Sequence, residues 1–207
     1  MTHDQDTEEL LQQIAGGELA AVDDLLERHR AKLRWMVAAR MDRRVSGRFD
    51  PSDVVQDTLL EASRRLERYA DERPLPFYPW LRQVALDRLK DLYRRHLRTH
   101  GRSVLRETKS FPLNESVESL AGWLVDSGTS PTRGLLRDEV RLRVREALKS
   151  LSDADREILL MRHLEQMTVP EIAAAMELHP NATKSRLRRA LERLHYHLTL
   201  GRSDGKS

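Results

Sequence analysis

The sequence of 207 residues contains no cysteine. Disulfides, thiol nucleophiles, iron–sulfur clusters and cysteine zinc sites are therefore excluded. Aromatic residues are scarce at 5%, and the nine glycines and eight prolines fall mainly between long periodic segments. That scarcity, with 33% charged residues, is the profile of an all-helical protein. No apolar run approaches the ~20 residues that a membrane-spanning helix needs. The first residues, MTHDQDTEELLQQ, are acidic and polar, unlike a secretion signal. A cytoplasmic location without membrane insertion is expected. The 39% apolar content supports one or two small cores, and the length favours two. Net charge is only +3, so the placement of charge matters more than its sum.

From Glu8 to Met41 the pattern is helical, with Leu10, Leu11, Ile14, Leu19, Val22, Leu25, Leu26, Leu33, Trp35, Met36 and Val37 on apolar stripes. Gly16 and Gly17 predict a bend between two helices. The charged stretch from Arg40 to Phe49 reads as a loop. A helix then starts at Asp50-Pro51-Ser52, where Ser52 or Asp50 can cap it and Asp53 meets the positive end of the helix dipole. Val54, Val55, Thr58, Leu59, Ala62 and Leu66 form its inner face. Asp53, Gln56, Asp57 and Glu61 lie three or four residues apart on the other side. The plain reading is a solvated face; the sharper one is an acidic docking surface for a basic partner.

Asp71–Pro76 is predicted to be a loop, because two prolines forbid a continuous helix. The helix after it carries an inward stripe of Trp80, Leu81, Val84, Ala85, Leu89 and Leu92. Arg82, Arg88, Lys90, Arg94, Arg95, Arg98, Arg102 and Arg106 make its outer side and exit basic, with Phe77, Tyr78, Trp80 and Tyr93 interleaved. Rings for stacking beside guanidinium groups for phosphate suit melted nucleic acid; the plainer reading makes Phe77 and Trp80 core anchors. From Glu107 to Leu136 apolar periodicity fades and acidic residues dominate, which reads as a linker with Leu120, Trp123, Leu124 and Val125 as a short anchor.

The stretch Leu148–Leu198 predicts three helices. Ser152 with Asp155 can cap the first. Thr168 and Glu171 form a capping box for the second, with Pro170 in its first turn. Pro180 opens the third, and Leu187, Ala190, Leu191, Leu194 and Leu198 form its buried stripe. Lys184, Arg186, Arg188 and Arg189 stand off that stripe. Two helices on a tight turn, the second basic near its start, fit the major groove of DNA. The alternative is an ordinary helical hairpin with a solvated face.

In this order the segments resemble a bacterial sigma-70-type sigma factor of the extracytoplasmic-function group, which keeps only regions 2 and 4. DPSDVVQDTLLEASRRL resembles the core-binding part of region 2, PFYPWLRQVALDRLKDLYRRHLR its melting and −10 reading helix, and LSDADREILLMRHLEQMTVPEIAAAMELHPNATKSRLRRALERL region 4. The resemblance implies two helical domains, region 2 over residues 8–100 and region 4 over residues 137–200, joined by an irregular acidic linker over residues 101–136. It implies that Asp53, Gln56, Asp57 and Glu61 dock on the β′ clamp helices of core RNA polymerase. It places Asp71, Arg73, Tyr78, Trp80, Arg88, Arg94 and Arg95 at the −10 element, with the loop Asp71–Pro76 capturing a flipped base. It places Thr183, Lys184, Ser185, Arg186, Arg188 and Arg189 at the −35 element. The implied partners are core polymerase, through the β′ clamp helices and the β flap, and promoter DNA. An anti-sigma factor is a further candidate that no residue here encodes. No cofactor, metal or catalytic residue is implied, and the chain is expected not to be an enzyme. The sequence departs from the family pattern at three places: Asp87 replaces the usual Asn, Glu177 replaces the usual turn Gly, and Asn181-Ala182-Thr183 replaces Gly-Thr-Val.

Three other readings compete. A conventional repressor would use the helix-turn-helix alone and leave Asp50 to Arg98 without a task. A helical adaptor would need no nucleic acid. An enzyme is disfavoured: His96 and His100 share a helical face but have no third ligand at suitable spacing, His195 and His197 point apart, and no phosphate-binding glycine loop is present.

Overall fold

A computed structural model describes residues 2–41, 49–99, 113–128 and 134–200. All regular elements among them are helical, and none is long and apolar enough to cross a membrane. The chain divides into two units, residues 1–108 and 109–207.

The first unit contains α1 (Thr2–Ala15), α2 (Ala20–Ala38), α3 (Pro51–Glu72) and α4 (Phe77–Thr99). Gly16 and Gly17 make the predicted bend between α1 and α2. Gly17 sits at φ 90°, which a side chain would disfavour. Asp50, rather than Ser52, caps α3: its carboxylate accepts from the Ser52 N–H at 2.7 Å, and Asp53 completes a capping box. Hydrogen bonding from Ser52, its backbone N–H first, holds the Asp50 carboxyl below its ordinary range. The core joins Leu25, Leu33, Met36 and Val37 of α2, Val55, Leu59, Ala62 and Leu66 of α3, and Leu81, Ala85 and Leu89 of α4.

Several expectations for this unit change. Leu19 and Trp35, placed on apolar stripes, stand exposed. Arg40 does not begin a solvated loop; it is buried, and its guanidinium donates to the Met36 carbonyl at 3.1 Å. The Tyr93 hydroxyl donates to the Arg40 carbonyl at 2.9 Å, so the segment after α2 is fastened to α4. Arg82, expected on the basic outer side, is buried. Asp71 and Glu72 still belong to α3, so the Pro-rich loop shortens to residues 73–76.

The second unit contains α5 (Leu113–Gly128), α6 (Gly134–Lys149), α7 (Asp153–Leu159), a π-helical turn (Leu160–Leu164), α8 (Val169–Ala175) and α9 (Pro180–Leu200). The expected irregular linker is therefore partly a helix of 16 residues. Val117, Leu120, Ala121 and Val125 are buried where α5 packs against α6 and the π turn. Glu118 reinforces the α5–α6 pairing with an ion pair to Arg145 at 2.7 Å. The Ser152 hydroxyl accepts from the Asp155 N–H at 3.2 Å, and Thr168 and Glu171 form the predicted capping box. The buried guanidinium of Arg156 donates to the carbonyls of Leu148, Lys149 and Leu151 at 2.5–3.1 Å. It thereby supplies donors to carbonyls in and just after the last turn of α6, where the i→i+4 ladder has ended.

Candidate functional site

On α3 the exposed residues Asp53, Gln56, Asp57, Leu60 and Arg64 follow at spacings of three and four, which puts them on one stripe. Leu60 is 53% exposed, an apolar side chain among acidic and polar ones. Sequence reasoning assigned Leu60 to neither face of the helix, because the outer face was read from its charged and polar residues alone. Glu61 does not share this stripe. It is half-buried toward α4, paired with Arg65 at 2.5 Å and with Arg88 at 2.7 Å. The Arg65 hydrogen bond, then the charges of Arg65, Arg88 and Arg64, outweigh burial and hold its carboxyl below the ordinary range. Glu61 thus joins two helices instead of lying open to a partner, which corrects the expectation.

The basic helix is partly neutralised by its own chain. Besides the Arg88–Glu61 pair, Lys90 lies 3.1 Å from Asp87 and Arg94 lies 2.5 Å from Asp91. Arg94 and Arg95 are exposed. The side chain of Arg98, and Arg102 and Arg106 altogether, lie outside the described residues, as do the side chains of His96 and His100. Tyr78, expected to face DNA, is 1% exposed. Its ring stacks 5.9 Å from that of His29 and carries the Lys32 ammonium 3.8 Å above its face. It is a core residue here, because α2 covers it. Trp80 is half-buried at the edge of a cluster, 4.4 Å from Tyr69 and 5.7 Å from Phe77.

The loop at residues 73–76 opens on Arg73, at φ 38°, ψ 54°. Its backbone N–H donates to the Tyr69 carbonyl at 2.8 Å, and its guanidinium pairs with Glu8 of α1. Asp71 and Arg73 are both exposed beside this loop.

In the second unit, α8 and α9 form the helix-turn-helix. Leu178 N–H reaches the Ala173 carbonyl at 2.8 Å and Glu177 N–H the Ala174 carbonyl at 3.3 Å, the two bonds of a Schellman turn. Glu177 takes the left-handed position at φ 54°, where glycine is preferred. The α9 face packed inside carries Ala190 and Leu194, with Leu187 and Leu198 half-buried. Leu191, expected on that stripe, is largely exposed. Thr183 is fully buried, and its hydroxyl donates to the His179 carbonyl at 3.2 Å. It therefore steadies the first turn of α9 and cannot reach a base, contrary to expectation. Lys184, Ser185, Arg188 and Arg189 are exposed, and Arg186 is half-exposed. Arg188 stands 3.8 Å from Glu192. Arg193 pairs with the buried carboxylate of Asp155, which fixes α9 against α7. That pair joins residues 38 apart, so no local pattern announces it.

The basic stripe of α9 and the turn before it define a helix-turn-helix protein, and the acidic stripe of α3 gives it a second surface of opposite sign. Residues 25–99 match sigma-70 region 2 and residues 141–194 match sigma-70 region 4. The chain belongs to the sigma-70 family, in its extracytoplasmic-function group, and is an RNA polymerase sigma factor. Over 193 residues it is 28% identical to the RNA polymerase sigma-H factor of Pseudomonas aeruginosa, covering 93% of both chains. It is 29% identical to the sigma factor CnrH of Cupriavidus metallidurans over 190 residues, 89% of this chain and 90% of that one. It is 26% identical to the ECF sigma-E factor of Escherichia coli over 189 residues, 88% and 89% of the two chains. Among solved structures, CnrH in complex with the cytosolic domain of CnrY is similar, with a TM-score of 0.54 and 25% identity over 98% of this chain and 99% of that one.

Proposed function

We propose that this sigma factor docks on the β′ clamp helices of core RNA polymerase through Asp53, Gln56, Asp57 and Leu60 of α3. Residues 8–100 act as region 2 and residues 137–200 as region 4, the latter engaging the β flap. The loop at 73–76, with Asp71 and Trp80 beside it and Arg94 and Arg95 farther along α4, meets the −10 element. Lys184, Ser185, Arg186, Arg188 and Arg189 meet the −35 element. The observation that carries this reading is the exposed basic stripe of α9 opposite its packed face, on a helix that Asp155 and Arg193 hold in place. Arginine and lysine there can take phosphates and guanine edges.

The protein makes or breaks no covalent bond in this scheme. Two weak readers held on one polymerase become one strong reader through effective concentration. Binding energy to the displaced strand drives melting. The protein acts in the cytoplasm, where promoters are. Because CnrH is held by the cytosolic domain of CnrY, an anti-sigma partner is proposed here as well. Reconstitution with core polymerase on genomic fragments tests the scheme. Run-off transcripts from a defined set of promoters are expected only when the protein is added; output indifferent to its addition would sink it.

A further inference from the structure

We infer that Tyr69 is the positioning residue of the loop at residues 73–76, setting the shape in which that loop receives an unstacked −10 base. The inference rests on the assignment of this loop to base capture, made above.

Two atoms of one residue hold the loop at both ends. The Tyr69 backbone carbonyl accepts the Arg73 N–H at 2.8 Å, and its phenol hydroxyl donates to the Leu75 carbonyl at 2.9 Å. Pro74 and Pro76 carry no N–H, and the loop's other ties are the Arg73 side chain, to the Ala70 carbonyl at 3.3 Å and to Glu8, and the Trp80 N–H, to the Pro76 carbonyl at 3.1 Å. The Tyr69 ring is itself fixed. It is buried, with its centroid 4.4 Å from Trp80 and 5.5 Å edge-on to Phe77, both in the first turns of α4. One side chain therefore ties together the end of α3, the loop and the start of α4. Burial pushes the phenol up to about 12, so the hydroxyl keeps its proton, and its role as donor, across the physiological range.

A pocket that takes a base out of its stack must offset the lost stacking, and it does so best when its shape exists before the base arrives. A loop free to move would lose that advantage by being ordered on binding. Tyr69 removes this freedom without touching nucleic acid, which is why it counts as a positioning residue.

The test uses holoenzyme assembled from core polymerase with wild-type protein or Tyr69→Phe, which keeps the ring and its packing. Fork-junction DNA carries the −10 non-template strand single-stranded, with an abasic site scanned through each position. For wild type, one position is expected to weaken binding roughly tenfold when its base is missing. For Tyr69→Phe that ratio is expected to shrink to about two- to threefold at the same position, while affinity for core and for the abasic fork stays within about twofold. A Tyr69→Phe ratio equal to wild type overturns the inference. So does an equal loss on intact and abasic forks, which would mark Tyr69 as scaffold only. A wild type that shows no sensitive position overturns the base-capture assignment, and this inference with it.

Discussion

The Glu61 carboxylate lies 2.7 Å from the guanidinium of Arg88, so one side chain expected to hold polymerase and another expected to hold DNA hold each other instead. The pair crosses from α3 to α4, and Arg65 adds a second contact to the same carboxylate. Glu61→Gln is expected to lower the melting temperature of the protein at neutral pH and to leave its affinity for core polymerase within about twofold. The pH dependence has a definite sign. The folded-state pKa of Glu61 is depressed, so its stabilisation is present above the ordinary glutamate range and is lost as pH falls through the folded value. Wild type and Glu61→Gln should therefore differ in melting temperature at pH 7 and converge as pH falls out of the ordinary glutamate range through the depressed folded value. A difference that persists undiminished into acid would remove the ion pair as its cause.

Leu60 makes the opposite prediction. At 53% exposure it contributes little to the core, so Leu60→Ala should shift stability by no more than ~0.5 kcal/mol. If the α3 stripe is the docking surface, the same change removes an apolar anchor from its middle. Affinity for core should then drop about five- to tenfold, equivalent to ~1 kcal/mol or more. Asp57→Arg, which reverses a charge on the same stripe, should weaken core binding at least as much and more steeply at low salt. Fluorescence titration of labelled protein with core polymerase reads both. Unchanged affinity in the two variants would move the interface elsewhere.

The contrast between Glu61 and Leu60 shows where the sequence was legible. The inner face of α3, the Thr168–Glu171 capping box and the Gly16-Gly17 bend were all readable, because each depends on residues within a turn or two of one another. Burial of Arg40, Arg82 and Arg156 was not, since an arginine goes inside only where carbonyls or carboxylates await it, and a sequence pattern does not announce them. The α5 helix escaped for a different reason. Its serines, glycines and acids imitate a linker, and its helicity is supported by the apolar seat that α6 and the π turn provide. At the candidate site, the basic residues of α9 were legible as a group off its buried stripe. The inward turn of Thr183 and the cover over Tyr78 were not, because each depends on how neighbouring backbone or helices pack.

Glu177 stands in a left-handed conformation at φ 54° in the turn between α8 and α9. A non-glycine residue there costs about 1 kcal/mol. Both Schellman hydrogen bonds are nevertheless present, so the turn has kept its form and the strain is local. Glu177→Gly should therefore stabilise the protein, by at most roughly 0.5 kcal/mol once the added freedom of glycine in the unfolded chain is offset. Chemical denaturation followed by circular dichroism measures it. Glu177 is also exposed and acidic beside the basic stripe of α9, so its removal should raise DNA affinity of the holoenzyme slightly at low salt. A destabilised Glu177→Gly would mean that the side chain holds the turn through a contact stronger than the strain.

The ion pair between Glu8 and Arg73 sets up a competition. Arg73 opens the loop assigned to the −10 base, yet its guanidinium is engaged by an acid from α1, a helix that precedes the segment matching region 2. Both side chains are partly exposed, and such pairs contribute only about 0–1 kcal/mol. A DNA phosphate can displace the carboxylate, but the carboxylate must first be left unpaired. Glu8→Gln removes that competitor and leaves Arg73 in place. It should raise the affinity of holoenzyme for −10 fork DNA about two- to fivefold in low salt. The gain should fade as ionic strength rises, since the Debye length falls to ~8 Å at about 0.15 M. With Arg73→Ala already present, adding Glu8→Gln should change nothing, because the carboxylate then has no guanidinium to withhold. Equal gains from Glu8→Gln with and without Arg73 would assign the effect to the general negative field of α1 rather than to this pair.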